Sequence, residues 1–255
     1  MHPYIYIGSL TLPAYGVCAL IGALLAFAVL HLSRRHSIFS EDNLLDAIIF
    51  ALVFGMVGAK LLYFIKDPPS MPGSLSELWE LLSTGLVFYG GLLGGIGGVA
   101  LAARKTKKPF LAYCDWILPA FCFAHACGRI GCLLAGCCYG VEAEGLFTVE
   151  LGGVQRLAVQ PMEAAFLVLL GIFLCILYKK RLRRGAVTGF YMTLYALWRF
   201  IIEFWRDDDR GFVGALSTSQ FIGLFIFAAG VLLLYLSKKY GWPRDIPQAA
   251  KAAKE

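Results

Sequence analysis

The chain is poor in charged residues. Only 16% of its 255 residues are Asp, Glu, Lys or Arg, whereas soluble domains carry about 25%. Hydrophobic residues make up 59% and form apolar runs of about 20 residues, the length that an α-helix needs to cross a bilayer core. This composition argues against a water-soluble globular enzyme. It also argues against a transmembrane β-barrel, whose strands alternate in polarity over about 10 residues. We therefore predict an all-α, polytopic membrane helix bundle.

Lys and Arg are absent from residues 1–11, and Arg34 and Arg35 follow the first apolar run instead. A cleavable signal peptide has the opposite order, with a basic segment first. We therefore expect the first run to stay in the membrane as a span. The apolar runs predict seven transmembrane helices, at residues 12–31, 45–65, 86–103, 112–138, 159–178, 186–206 and 216–236.

Basic residues are also scarce in alternate loops. Of the 23 Lys and Arg residues, 16 fall in one set of loops and four in the other. Because loops rich in Lys and Arg stay on the cytoplasmic side, this bias predicts an N-terminus outside and a cytoplasmic C-terminus. It also explains the net charge of +6 without a nucleic-acid partner. We expect one membrane domain over residues 1–238 and a basic cytoplasmic tail over 239–255. The basic loops are 32–44, 104–111, 179–185 and 237–255, and the others are 1–11, 66–85, 139–158 and the stretch from Arg206.

The remaining three basic residues lie inside predicted spans. A helix rises about 1.5 Å per residue, so Lys60, Arg199 and Arg129 lie roughly 9, 10 and 14 Å below the outer ends of their spans. Tyr89 and Glu163 fall near the outer ends of two further spans. Charges inside a membrane are costly and mark candidate functional sites. These five residues predict a polar layer in the outer half of the membrane, whereas an anion transporter would spread its charges through both halves.

The sixth predicted span carries a polar face. Tyr195 and Arg199 are followed at helical spacing by Glu203 and Arg206. One interpretation is a helix-stabilising ion pair, since Glu203 can pair with either arginine. The other is an anion site, because the cations of the layer outnumber its two acids, Glu163 and Glu203. Arginine pairs with phosphate through two parallel hydrogen bonds, so the expected ligand is a phospholipid headgroup.

Six glycines fall within the nine residues from Gly90 to Gly98. Their spacing is typical of close helix packing through Gly90, Gly94 and Gly98. Bare backbone at Gly90 and Gly91 also lets a lipid approach, and the two interpretations are compatible. A nucleotide-binding loop is excluded because no Gly-Lys-Ser/Thr follows the run.

None of the eight cysteines forms a CxxC pair. Cys132, Cys137 and Cys138 end the fourth span together with His125, and structural zinc sites normally pair two closely spaced halves. We therefore predict no metal and no cofactor, and keep open a thiol redox role at the outer face. The other cysteines are expected to pack as small apolar residues. We expect His125 to be a hydrogen-bonded core histidine.

Several segments resemble, in sequence and order, the signature regions of the prolipoprotein diacylglyceryl transferase family. The resemblance covers about residues 12–236 and implies a seven-spanning protein of the bacterial cytoplasmic membrane with its N-terminus outside; we expect it to be a monomer. The segments are Tyr89-Gly90-Gly91-Leu92, the run from Gly128-Arg129-Ile130-Gly131 through Gly140, a degenerate Gln160-Pro161-Met162-Glu163, and Gly185-Ala186-Val187-Thr188-Gly189 leading to Arg199, Glu203 and Arg206.

Members of this family transfer the diacylglyceryl group of phosphatidylglycerol to the lipobox cysteine thiol of a preprolipoprotein signal peptide. The product is a thioether, glycerol phosphate is released, and no cofactor is needed. The resemblance implies that Arg129 binds phosphatidylglycerol and that Arg199 is essential. Our candidates are Arg199, Tyr89 and Glu203 for catalysis, and Arg129, Arg206, Lys60, Gly90, Gly91 and Glu163 for lipid binding.

Three positions depart from the family pattern. Typical members have Asn in place of Cys132, an acidic residue in place of Cys137, and often His in place of Tyr89. A phenol is a poor base near neutral pH, so Tyr89 either acts as a base helped by nearby cations or donates a hydrogen bond to the lipid phosphate. The departures leave open a divergent member with another acceptor and a membrane thiol oxidoreductase.

Overall fold

The computed structural model describes residues 3–8, 10–67, 74, 76, 87–207 and 211–243. Within these residues the chain is mostly helical, with seven α-helices and three short antiparallel hairpins. The helices are α1 (Ala14–Ser33), α2 (Glu41–Lys66), α3 (Phe88–Lys105), α4 (Phe110–Ala135), α5 (Val159–Lys179), α6 (Ala186–Ile202) and α7 (Thr218–Lys239). The hairpins pair β1 (Tyr4–Ile7) with β2 (Leu10–Pro13), β3 (Thr148–Leu151) with β4 (Val154–Leu157), and β5 (Phe212–Val213) with β6 (Leu216–Ser217).

Five of these helices, α1, α2, α4, α5 and α7, are long and apolar enough to cross a membrane. Of the other two, α6 has 17 residues, and α3 contains six glycines and ends in Arg104 and Lys105. The prediction of a helical membrane protein is therefore confirmed. The seven crossings, the orientation of the termini and the single domain with its tail stay predictions. Most of the loop 66–85 and the tail beyond residue 243 lie outside the described residues.

Two helices end earlier than predicted, for local reasons. Helix α4 ends at Ala135 rather than at residue 138, because Gly136 takes a left-handed backbone with φ of 75°. Helix α6 ends at Ile202 rather than at residue 206. A 3₁₀ turn, Glu203–Trp205, comes after it, and Arg206 then extends to form a β-bridge with Gly140.

The chain forms two compact units, residues 39–113 and residues 1–38 with 114–255, which we describe separately. In the first, α2 and α3 pack closely along the glycine stripe. A Cβ added at Gly94 would overlap the carbonyl oxygen of Phe54, and Gly90 and Gly98 are equally tight against α2. The packing interpretation of this stripe is therefore confirmed. At the end of the pair, Lys105 Nζ lies 2.7 Å from Asp46 Oδ1.

The second unit contains α1 and α4 to α7. Its core includes Leu170 and Leu174 of α5, packed with Cys122 of α4. The buried Asp115 of α4 also caps the N-terminus of α6. Its carboxylate accepts hydrogen bonds from the backbone N–H of Gly185 (2.6 Å) and Thr188 (2.8 Å), and from the Thr188 hydroxyl (2.6 Å). A carboxylate is stabilised at the N-terminus of a helix, because it accepts hydrogen bonds from the unpaired N–H groups there and lies at the positive end of the helix dipole.

Candidate active site

Five charged side chains of the second unit form the arginine–glutamate cluster, defined as Arg129, Glu163, Arg199, Glu203 and Arg206. Glu163 of α5 is fully buried. Its Oε1 lies 3.1 Å from Arg129 Nη2 of α4, and its Oε2 lies 3.7 Å from Arg206 Nη1. Tyr195 of α6 also donates a hydrogen bond of 3.4 Å to Oε1. One carboxylate therefore joins two arginines that are far apart in sequence.

The second half of the cluster lies at the end of α6. Arg199 Nη2 is 2.7 Å from Glu203 Oε2 and 3.4 Å from Ser219 Oγ of α7. Ser217 donates a 2.8 Å hydrogen bond to Glu203 Oε1, while its own hydroxyl caps α7 by accepting from Gln220 N. Glu203 therefore pairs with Arg199. Arg206, the other partner that the sequence allowed, contacts Glu163 instead.

The arginine–glutamate cluster carries a surplus of positive charge. Three guanidinium groups against two carboxylates leave one uncompensated cation in a site where all five side chains are largely buried. Among the described residues, the buried Arg129 Nε and Arg199 Nη1 have no hydrogen-bond partner. Buried donors without an acceptor are costly, and an anion placed here would supply both the acceptors and the missing charge. The geometry therefore fits a phosphate-bearing ligand.

The segment that carries Arg206 is fixed by backbone pairing outside the helices. Val141 N donates to Trp205 O (3.0 Å) beside the bridge between Gly140 and Arg206. Gly140 has no room for a side chain, because a Cβ would lie 2.8 Å from Trp205 O and 2.6 Å from the carbonyl oxygen of Leu157. This crowding explains a glycine at this point of the signature.

Arg156 is a residue of this region that the sequence did not single out. Its Nη1 lies 2.6 Å from Asp207 Oδ2, and its guanidinium stacks 4.5 Å from the centre of the Tyr139 ring. The hydrogen bond to Asp207 raises the pKa of Arg156 above its ordinary value. The contact therefore ties the segment just after Arg206 to the hairpin β3–β4. Asp115 is a second such residue: it lies near the predicted cytoplasmic end of a span, and nothing in the sequence indicated that it caps α6.

The cysteines of the fourth span form a compact group. The Sγ atoms of Cys132, Cys137 and Cys138 lie within 4.8 Å of one another. His125, seven residues before Cys132 on α4, contacts the Tyr195 ring at 5.4 Å between centroids, but its buried Nδ1 has no hydrogen-bond partner among the described residues. The expectation of a hydrogen-bonded core histidine is therefore wrong for this nitrogen.

The other predicted site residues belong to the unit of α2 and α3. Lys60 Nζ lies 5.1 Å from the centre of the Tyr63 ring, a cation–π contact within α2. Tyr89 is half-exposed. Gly90 packs so closely against α2 that an added Cβ would overlap the backbone of Gly58. A Cβ at Gly91 would make only an ordinary van der Waals contact. The roles of these residues in catalysis and lipid binding stay predictions.

Apolar helices and a buried, net-positive arginine cluster define a helical membrane protein with a candidate anion site. The chain belongs to the prolipoprotein diacylglyceryl transferase family, whose sequence model matches residues 3–236. It is therefore a member of a family of transferases, as the signature segments predicted.

Named relatives agree with this assignment. The chain is 38% identical over 210 residues to phosphatidylglycerol–prolipoprotein diacylglyceryl transferase 2 of Clostridium perfringens, covering 80% of this chain and 82% of the relative. It is 32% identical over 246 residues to the phosphatidylglycerol–prolipoprotein diacylglyceryl transferase of Clostridium tetani, covering 93% and 98%. The similarity thus extends over nearly the full length of these relatives.

Proposed function

We propose that the chain transfers the diacylglyceryl group of phosphatidylglycerol to the lipobox cysteine thiol of preprolipoproteins. The observation that carries this proposal is the arginine–glutamate cluster, with its surplus positive charge and its unpartnered donors on Arg129 and Arg199. Phosphatidylglycerol presents one phosphodiester anion, which matches this surplus. The names of the relatives specify the same donor lipid and the same class of acceptor.

The reaction exchanges one bond for another. The acceptor thiol loses its proton, because the thiolate is the nucleophile. Its sulfur attacks the glyceryl carbon bonded to the phosphate oxygen, so the C–S bond forms as the C–O bond breaks, and glycerol phosphate leaves with the electron pair. Arg129 and Arg199 stabilise the negative charge that develops on the leaving phosphate.

The two glutamates orient the arginines for this task. Glu163 holds Arg129 and Arg206, and Glu203 holds Arg199. Because each carboxylate is itself held, by Tyr195 or Ser217, the guanidinium groups are set before the lipid binds. In this proposal Tyr89 donates a hydrogen bond to the headgroup, and Lys60 and Gly91 contact the lipid.

We place the reaction at the outer leaflet of the bacterial cytoplasmic membrane. The asymmetry of Lys and Arg between the two sets of loops supports seven crossings with the N-terminus outside. The depth of Arg129 and Arg199 in their spans then supports a site in the outer half of the bilayer. The acyl chains of the donor remain in the membrane throughout, and the reaction uses no cofactor.

The proposal is tested by complementation of a bacterium depleted of its own lipoprotein diacylglyceryl transferase. We expect the wild-type chain to restore growth and lipoprotein modification. The purified chain should also transfer diacylglyceryl from phosphatidylglycerol vesicles to a lipobox peptide, and a peptide with Ser in place of the acceptor Cys should stay unmodified. A chain that inserts normally but leaves the Cys peptide unmodified would contradict the proposal.

A further inference from the structure

A second group of reactive side chains lies beyond the C-terminal end of α4. Cys132, Cys137 and Cys138 form the thiol cluster, in which every Sγ lies within 4.8 Å of the other two. Cys137 is exposed, and the other two are half-buried. The proposed transfer uses none of these thiols, because its nucleophile comes from the acceptor. The cluster therefore calls for a separate explanation.

The backbone of this turn brings the thiols together. Gly136 and Cys138 both have left-handed conformations, with φ of 75° and 61°. Such a conformation is unfavourable for a residue other than glycine, and it persists where the surrounding structure enforces it. Here Cys137 N donates to Cys132 O at 3.1 Å, and the fully buried Gln160 donates from Nε2 to Cys137 O at 2.8 Å. The three thiols are thus held together by the fold.

We propose that the thiol cluster binds a thiophilic divalent cation of the Zn²⁺ and Cd²⁺ class. Tetrahedral Zn–S bonds of about 2.3 Å put sulfur atoms about 3.8 Å apart. From separations of at most 4.8 Å, the thiols reach this geometry by moving about 1 Å or less. Three protein ligands leave the fourth position open to water or another ligand, and thiolates select soft metals over Mg²⁺ or Ca²⁺.

The charges around the thiol cluster favour such an ion. Three thiolates and one divalent cation carry a net charge of −1. Arg129 precedes Cys132 by three residues on α4 and therefore lies on the same helix face, where its positive charge offsets the complex. Because the thiols must lose protons to bind the metal, binding should strengthen as the pH rises. Cys137 and Cys138 are adjacent in sequence, and the turn brings the sulfur atoms of both within 4.8 Å of the sulfur of Cys132.

The site also adjoins the arginine–glutamate cluster. Gln160, which holds the turn of the thiol cluster, lies three residues before Glu163 on α5. A bound metal would therefore brace the segment between α4 and α5 beside the residues that hold Arg129. This inference is independent of the proposed transfer, because metal binding and lipid transfer are measured separately.

The test is a titration of the full chain, purified in detergent and reduced under anaerobic conditions, with Cd²⁺ as the probe. We expect one Cd²⁺ per chain by equilibrium dialysis, a sulfur-to-cadmium charge-transfer band in the ultraviolet, and displacement of bound Zn²⁺ by the softer Cd²⁺. Cys132→Ser, Cys137→Ser and Cys138→Ser should each weaken Cd²⁺ binding by at least about 100-fold, more than is typical for loss of a group that only hydrogen-bonds to a metal ligand. Cys127→Ser, a change on α4 outside the thiol cluster, should bind Cd²⁺ like the wild type.

A measurement on the wild type avoids dependence on variant folding. Bound Cd²⁺ should protect Cys132, Cys137 and Cys138 from maleimide labelling, as mapped by mass spectrometry, while the extent of labelling at Cys18 and Cys127 stays unchanged. Protection confined to other cysteines, or equal affinity in the wild type and the triple Ser variant, would overturn the proposal. A disulfide between two of the three thiols that persists after the reduction step would overturn it as well.

Discussion

At the scale of single residues, the position of Glu163 determines which arginines it pairs with and how much of their positive charge it neutralises. A fully buried carboxylate between Arg129 and Arg206 neutralises only part of their charge, so the cluster keeps a net positive charge. Replacing Glu163 by a neutral side chain would leave three buried cations against one carboxylate. Removing one partner of a buried ion pair is strongly destabilising, so Glu163 has both a structural and an electrostatic part in the site.

The first prediction concerns Arg129 and Arg199. Replacing either with Gln should lower the transfer rate by at least about 100-fold, comparable to removal of one donor from an oxyanion hole. Lys at either position should restore activity only in part, because it cannot form two parallel hydrogen bonds to phosphate. Steady-state rates on phosphatidylglycerol vesicles measure this, with the exposed Arg35→Gln as control. Near wild-type rates in both Gln variants would make the arginines structural.

The second prediction concerns Tyr89. If it donates a hydrogen bond to the headgroup, Tyr89→Phe should cost about 1–3 kcal/mol, the value of a hydrogen bond to a charged group. That corresponds to a loss of roughly 5- to 150-fold in rate. Rates of Tyr89→Phe and Tyr89→His from about pH 6 to pH 9 measure this. A pH-independent, thousandfold loss in the Phe variant that His restores would instead identify a general base.

At the scale of elements, α6 is fixed at both ends. Asp115 caps its N-terminus through Gly185 and Thr188, and the bridge between Gly140 and Arg206 fixes the segment after its C-terminus. Arg199 and Glu203 lie between these two anchors. The position of the polar face of α6 therefore depends on contacts made by α4 and by the loop before α5.

The third prediction tests the cap of α6. Asp115→Ala should lower the free energy of unfolding in detergent by about 1–2 kcal/mol, the usual cost of removing a helix cap. Asp46→Ala is the matched control, because the exposed ion pair of Asp46 with Lys105 is worth only about 0–1 kcal/mol. Equal stability losses in the two variants would show that the three hydrogen bonds of Asp115 have no special role.

The fourth prediction tests the packing of α2 against α3. Gly94→Ala should strongly lower the melting temperature, because the new Cβ would collide with the carbonyl oxygen of Phe54. Gly97→Ala, three residues further along α3, should melt like the wild type or slightly higher, because nothing lies within 4 Å of its added Cβ. Thermal unfolding of both variants in detergent gives the comparison, and equal melting temperatures would rule out the packing argument.

At the scale of the whole molecule, the features that depend on local pattern were predictable from the sequence. Apolar runs of about 20 residues predicted all seven helices within a few residues, because burial in a bilayer makes length and polarity decisive. The glycine stripe predicted close helix packing, because its small residues recur on one helix face. The signature segments identified the family.

The remaining features depend on contacts between distant segments. Helical spacing offered Glu203 two arginines, but it contained no information on the extended backbone that turns Arg206 toward Glu163. The sequence grouped Cys132, Cys137 and Cys138, but it did not predict the left-handed backbone at Gly136 and Cys138 that brings their sulfur atoms together, because a side chain disfavours that conformation at Cys138. The hairpins have strands of two to four residues, too short for a periodic signal.

The last prediction concerns the number of crossings, which α6 decides. Its 17 residues are short for a span, yet the basic loop 179–185 before it and the hairpin β5–β6 after it are predicted to lie on opposite sides of the membrane. Alkaline phosphatase inserted into the full chain after Arg181 should therefore be inactive, and after Gly214 active. Green fluorescent protein at the same positions should show the opposite pattern. A control insertion after Gly152, before α5, should match the one after Gly214. Equal activity at positions 181 and 214 would mean that α6 does not cross the membrane, and that the arginine–glutamate cluster needs a different placement in the bilayer.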